Sequence, residues 1–189
     1  MSSAYSVIVA DPPWAPRDKL PGKTRGAAKQ YRVLSTPQIC SFLVDNSVRV
    51  ADNALLFLWR IASMQRDALD VALAWGFDVK AEFVWRKLTR TGKPHFGMGR
   101  YVRNGHEVCL IGARGQAAKL IASHSVRSVF EASVPADADG KIIHSKKPEA
   151  FWTEVVEPLT TGYGIELFAR TRRLGWDAIG DQLPAQEAT

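Results

Sequence analysis

The sequence predicts an α/β protein built on a mostly parallel sheet with helices on both faces. Three observations carry that reading. Short apolar strand candidates alternate with stretches of helical periodicity, several of the strands are apolar at nearly every position, and Pro, Gly and Ser/Thr punctuate the boundaries. A strand that is apolar throughout is covered on both faces, whereas a half-solvated antiparallel strand alternates. The 189 residues are read as one domain, 1–189, because a chain of this length suits a single compact core. With 46% hydrophobic and 23% charged residues, the composition is that of a globular chain and argues against disorder.

The elements follow in order. Tyr5 to Ala10 (YSVIVA) reads as a buried strand, stopped by Asp11-Pro12-Pro13, which cannot continue a ladder. Residues 15 to 34 have little apolar content, with two prolines and two glycines, and read as a long loop. Ser35 or Thr36 offers an N-cap before Pro37, and Ile39, Phe42, Leu43 and Val50 supply the apolar side of the helix that follows. Ala54 to Trp59 is a second buried strand. Ser63 is placed to cap a helix in which Met64, Ala68, Val71, Ala72 and Trp75 recur at helical spacing, with Gly76 at its end.

Phe77 to Trp85 reads as a strand, 86 to 105 as a second long loop, and Glu107 to Gly112 as a strand again. Val126 to Ala132 is a short strand candidate. Ser145 with Pro148 opens a helix to about Pro158, and Gly164 to Ala169 closes the series as a strand. In sheets of this kind ligands lie beyond the carboxyl ends of the strands. Asp11 to Trp14 and Arg170 to Arg173 are both expected there.

Several function classes drop out. Cys40 and Cys109 form no CxxC pair and no disulfide framework, and two reduced thiols together with an N-terminus lacking a signal-peptide pattern lead us to expect a cytoplasmic protein. No apolar run approaches the ~18 residues that a membrane span needs. His95, His106, His124 and His144 lack metal-ligand spacing, so no metal is expected. Gly22-Lys23-Thr24 resembles the end of a P-loop, but the glycine required five residues earlier is Arg17. Gly97-Met98-Gly99 likewise fails as a dinucleotide fingerprint, with Val102 at the third glycine position.

The most informative feature is Asp11-Pro12-Pro13-Trp14 directly after an apolar strand. The exocyclic amine of a nucleobase is a poor nucleophile, because its lone pair is delocalised into the ring. A carboxylate accepting one of its N–H groups and a backbone carbonyl accepting the other would hold it and turn the lone pair toward an electrophile. Asp11 can supply the first acceptor and the Pro12 carbonyl the second, since Pro13 adds no competing donor. Trp14 offers a ring on which a flipped base can stack.

This tetrad resembles that of the Asp-Pro-Pro-Trp adenine N6-methyltransferases, a branch that includes the eukaryotic messenger-RNA N6-adenosine enzymes and bacterial and phage DNA N6-adenine relatives. Further segments resemble the family in the same order. They include Ala54–Trp59, Trp75-Gly76-Phe77, Phe83–Lys87, Gly99–Glu107 with Cys109–Gly112, Ser145–Glu149, Glu166–Arg170, Gly175-Trp176 and Gly180-Asp181-Gln182. The resemblance implies a Rossmann-like S-adenosylmethionine-dependent methyltransferase with permuted motif order. The expected reaction is methyl transfer from S-adenosyl-L-methionine to the N6 amine of adenine in DNA. The same reaction on RNA, or a catalytically silent nucleic-acid-binding module, are the rivals.

Carried over residue by residue, the resemblance makes Asp11, Pro12, Pro13 and Trp14 catalytic, with Asp11 also touching the cofactor. Lys147 would pair with the cofactor carboxylate, Glu166, Arg170 and Arg172 would surround the cofactor, and Asp181 and Gln182 would lie near it, Asp181 standing where the family usually has Asn. Tyr31 aligns with a loop tyrosine. The family's acidic residue upstream of the tetrad strand has no counterpart within the ten residues before Asp11, so that contact is expected to be missing or to come from elsewhere. Cofactor affinity is then expected to be weak without a partner chain, and a homodimer or a partner protein is a candidate assembly.

The net charge of +6 is unevenly spread. Residues 15–35 hold Arg17, Lys19, Lys23, Arg25, Lys29 and Arg32 against Asp18 alone. Residues 86–103 hold Arg86, Lys87, Arg90, Lys93, Arg100 and Arg103 with no acid. The two loops together carry +11 and the remainder −5. Loops of this charge beside a base pocket suit phosphate contacts, which give affinity without sequence information. The expected partner is therefore nucleic acid, with DNA favoured, and no membrane. The chain leaves little room for a separate target-recognition domain.

Overall fold

A computed structural model of the chain describes residues 4–15, 33–97, 99, 101–143 and 145–184. Seven strands form one sheet in the order β5-β3-β4-β2-β1-β6-β7. They are β1 (Tyr5–Ala10), β2 (Val50–Arg60), β3 (Asp78–Leu88), β4 (His106–Arg114), β5 (Val129–Ser133), β6 (Gly164–Leu167) and β7 (Trp176–Ile179). β4 runs antiparallel to β2 and β3, and every other neighbouring pair is parallel. The mostly parallel α/β sheet is therefore present. Its chain order is the permuted one, because β6 follows β1 by more than 150 residues yet pairs directly with it.

Side-chain alternation splits the central strands between two cores. Ile8, Ala10, Leu56, Leu58, Ile165 and Leu167 pack toward helices α1 (Thr36–Asp45) and α2 (Gln65–Ala74). Val7, Val9, Leu55, Phe57 and Trp59 pack on the other face against Phe151, Trp152, Val155 and Val156. These last four belong to a π-helical stretch, Phe151–Val156, that ends in the short α3 (Glu157–Leu159). Covering both faces is what strands apolar at successive positions require. Among the described residues, no helix is long and apolar enough to cross a membrane.

Several boundaries differ from the sequence reading, and four of them have a clear local reason. α1 opens as expected, with the Gln38 side chain accepting the Ser35 N–H at 2.9 Å and Pro37 in the first turn. It ends at Asp45, however, because Ser47 takes a left-handed φ of 54°. Val50 then pairs with Tyr5 in the sheet instead of lining the helix. Ser63 lies within a 3-10 turn, Ala62–Met64, and caps nothing. β3 runs on to Leu88 because β5 pairs with it from Val84 onward, which moves the start of the second loop to Thr89. Ser145 has a φ of 62° and begins no helix, so Ser145–Pro148 stays an irregular loop before the turn into Phe151. β7 was not foreseen. It holds on β6, where Gly164 leaves room for the Trp176 ring, which a Cβ would approach to 2.2 Å.

Candidate active site

Sheet register decides what gathers beyond the strand ends. Ala10 is flanked by Leu58 of β2 and Leu167 of β6, so Asp11 and Phe168 leave the sheet side by side, next to Trp59 near the end of β2. β4 enters from that same end, which brings Glu107 opposite Trp85. A cleft of about 380 Å³ opens there. Asp11, Pro12, Pro13, Trp14, Glu107, Lys147, Arg170, Asp181 and Gln182 line it, with Leu34, Phe42, Ile61 and Phe168 among its apolar walls.

Asp11 continues the alternation of Val7 and Val9, and next meets Lys147. The Lys147 ammonium lies 2.7 Å from Asp11 Oδ2 and 3.3 Å from Glu107 Oε2, and 5.2 Å above the Trp59 ring. Glu107 in turn binds Lys87. Two carboxylates and two ammonium groups thus form one cluster. Burial pushes the Asp11 carboxyl above its ordinary range, and Lys147 only partly pulls it back. Lys147 is desolvated as well, yet its two carboxylate partners hold it above the usual lysine range. Glu107 also loses hydration, but Lys147 and Lys87 together bring it below the carboxylate range. Perturbed ionisation of this kind in a cleft points to function more than to stability.

The proline pair shapes the tetrad. The Pro12 carbonyl accepts the Trp14 N–H at 2.8 Å, a three-residue turn that fixes its direction and leaves one lone pair for another donor. The Pro13 carbonyl accepts the Leu34 N–H at 2.8 Å. Trp14 is only 4% exposed, and its indole N–H donates to the Trp59 carbonyl at 3.0 Å. The ring braces the proline turn against β2 and also lines the cleft.

A smaller recess of about 70 Å³ adjoins the cleft and shares Asp11, Lys147, Phe168 and Arg170 with it. Glu166 lines this recess. Burial pushes its carboxyl up to about 7, against the pull of Arg173 and with Asp11 and Glu149 adding to the rise. Phe168 takes a left-handed φ of 61°, a strained conformation for a bulky residue, at the point where β6 turns into the site. Gly180 lies so close to this turn that a Cβ would come within 2.1 Å of the Ala169 carbonyl. That approach is what carries Asp181 and Gln182 to the cleft wall.

Two expected roles change. Arg172 is exposed and lines neither cavity. Its neighbour Arg173 turns in instead, held by Glu149 at 2.7 and 2.8 Å and lying 4.4 Å over the Trp152 ring. Lys87 is no free phosphate contact, because its ammonium binds Glu107 and sits 5.0 Å over the Trp85 ring. Arg90, Lys93 and Arg103 are exposed on the second loop. Lys19, Lys23, Arg25, Lys29, Tyr31, Arg32 and Arg100 lie outside the described residues. Glu107 is the site residue that the sequence reading passed over. Its signal was an acid opening an otherwise apolar strand, HEVCLIG.

The MT-A70 family model matches residues 5–182. An N(6)-adenosine-methyltransferase MT-A70-like protein of Drosophila melanogaster is 29% identical, over 95% of this chain and 27% of its own length. The type II methyltransferase M.MunI of a Mycoplasma species is 25% identical, over 95% of this chain and 78% of its own. The N6-methyladenosine RNA methyltransferase MTA1 of Cryphonectria parasitica is 27% identical, over 95% of this chain and 52% of its own. The chain thus spans about a quarter to about three quarters of these relatives.

Proposed function

The chain belongs to the MT-A70 family, and on that premise we propose that it transfers a methyl group from S-adenosyl-L-methionine to the N6 amine of adenine in DNA. The observation that carries this reading is Asp11, an ion-paired carboxylate at a strand end, beside a Pro12 carbonyl with an acceptor site still open. DNA is the polymer we favour, with the type II methyltransferase M.MunI among the relatives, and RNA is the rival substrate.

The cavities suit the cofactor. At about 380 Å³ the cleft is of ligand size, and the recess sets carboxylates and cations side by side, as an amino-acid moiety requires. Asp11, Lys147, Glu166, Arg170, Asp181 and Gln182 would hold it. When bound, it supplies an electrophilic methyl on a sulfonium. Asp11 and the Pro12 carbonyl would then accept the two N–H groups of the adenine amine and direct its lone pair. Lys147 would keep Asp11 ionised, so that it accepts rather than donates. Orientation would supply most of the acceleration, and the amine attacks directly without a covalent enzyme intermediate.

Arg90, Lys93 and Arg103 would pair with phosphates around the cleft. The test is Asp11→Ala. We expect a folded protein that has lost methyl transfer by at least ~10³-fold even at saturating cofactor, as loss of a positioning and electrostatic group predicts. Wild-type turnover by the folded variant would overturn the assignment.

A further inference from the structure

We propose that the loop between β3 and β4 is a stacking platform for unpaired DNA bases flanking the target adenine, with Phe96 and Tyr101 as the stacking rings. The inference rests on the nucleic-acid reading above and adds a substrate form, the unpaired strand. Phe96 is 70% exposed and Tyr101 88%, and Val102 beside them is 69% exposed. A single exposed aromatic is ordinary, but two rings with an apolar neighbour within seven residues of one loop are not. The loop's charge indicates the occupant. Residues 86–105 contain no acid, and Arg90, Lys93 and Arg103 are exposed among the aromatics. Rings interleaved with cations are the composition that grips a single strand, the rings taking base faces and the cations phosphates.

Position supports the same occupant. The loop leaves from the carboxyl end of β3 and re-enters at β4, whose second residue, Glu107, lines the cleft. A strand delivering a base to Asp11 would therefore run past this loop. The loop is also braced in place. Lys87 N–H donates to the Gly105 carbonyl at 2.8 Å, His95 N–H to the Lys87 carbonyl at 2.9 Å, and Thr89 N–H to the Lys93 carbonyl at 2.7 Å. Gly97 and Gly99 pack against the loop's return, where a Cβ would meet the Asn104 carbonyl at 2.4 Å and the Val102 carbonyl at 1.8 Å. The Arg103 guanidinium lies 5.2 Å over the Phe96 ring. A loop whose described residues are braced in this way, with both rings largely exposed, is organised in advance for a ligand. Base faces are open to such rings in an unpaired strand and hidden inside a duplex, which favours the former.

The experiment compares binding of a fluorescent adenine-containing DNA strand with its blunt duplex, using wild-type chain, the double variant Phe96→Ala/Tyr101→Ala, and Phe96→Trp/Tyr101→Phe. Cofactor affinity is measured on all three as a fold control. Wild type should prefer the strand. The alanine pair should lose ~10-fold or more on the strand and much less on the duplex, with cofactor affinity kept, and the aromatic pair should restore strand binding. Equal affinity of wild type and alanine pair for the strand overturns the inference alone, and so does an equal loss on strand and duplex, which would make the rings a duplex wedge. A change of oligomeric state without a change in DNA affinity also overturns it, by making the loop a protein contact. Failure of the wild type to bind either DNA overturns the parent reading as well.

Discussion

At the scale of single residues, the account turns on how the Asp11–Lys147–Glu107–Lys87 cluster sets ionisation. Removing the cation from beside a buried carboxyl favours its neutral form. Lys147→Met should therefore raise the Asp11 pKa further and move the acid limb of the pH profile of kcat/KM to higher pH. A profile that only falls in height would mean Lys147 does not tune Asp11. Glu166 gives a second pH signature. Its carboxyl titrates at about 7 in the folded chain against an ordinary 4.5, so the folded state holds a proton that the unfolded chain has released. Its contribution to stability therefore declines as pH rises from about 4.5 to 7. If the ionised form contacts the cofactor, binding should strengthen as pH rises through 7, and Glu166→Gln should flatten that dependence in calorimetric titrations. An unchanged dependence in the variant would remove Glu166 from the cofactor site.

At the scale of elements, the strands place the site and close packing holds the connecting loops. Gly180→Ala should cost cofactor affinity with little loss of turnover capacity at saturating cofactor, because a Cβ there collides with the Ala169 backbone and pushes Asp181 and Gln182 from the cleft. Phe151→Ala should cost about 3–5 kcal/mol of stability in denaturant titrations, since the ring is fully buried among Phe57, Trp59, Phe130 and Trp152. β1 was legible to the residue because it is short, apolar and stopped by two prolines. The ends of α1 and β3 were not legible, because each depends on a partner strand, β1 for Val50 and β5 for Arg86–Leu88. The pairing of Lys87 is not legible for a related reason. It is set by Glu107, which lies 20 residues away.

For the whole molecule, folding brings together four stretches of chain that the sequence reading had joined by family resemblance: Asp11–Trp14, Lys147, Glu166–Arg170 and Asp181–Gln182. What it could not supply was how charges pair in space. Of the twelve cations read on the two basic loops, Arg86 and Lys87 are spent on Glu131 and Glu107. DNA binding should therefore weaken with salt, and neutralising Arg90, Lys93 or Arg103 to Gln should each lower the slope of log K against log salt by about 0.7–0.9 if that residue meets a phosphate. A slope unmoved by all three would exclude this loop from backbone contact. The central claim, adenine N6 methylation of DNA, is tested most directly by incubating the chain with methyl-labelled S-adenosylmethionine and matched DNA and RNA strands, then digesting to nucleosides. The account predicts label in N6-methyl-deoxyadenosine. Label in cytosine, in RNA alone, or in no nucleoside while the wild-type chain is folded and binds the cofactor, would contradict it.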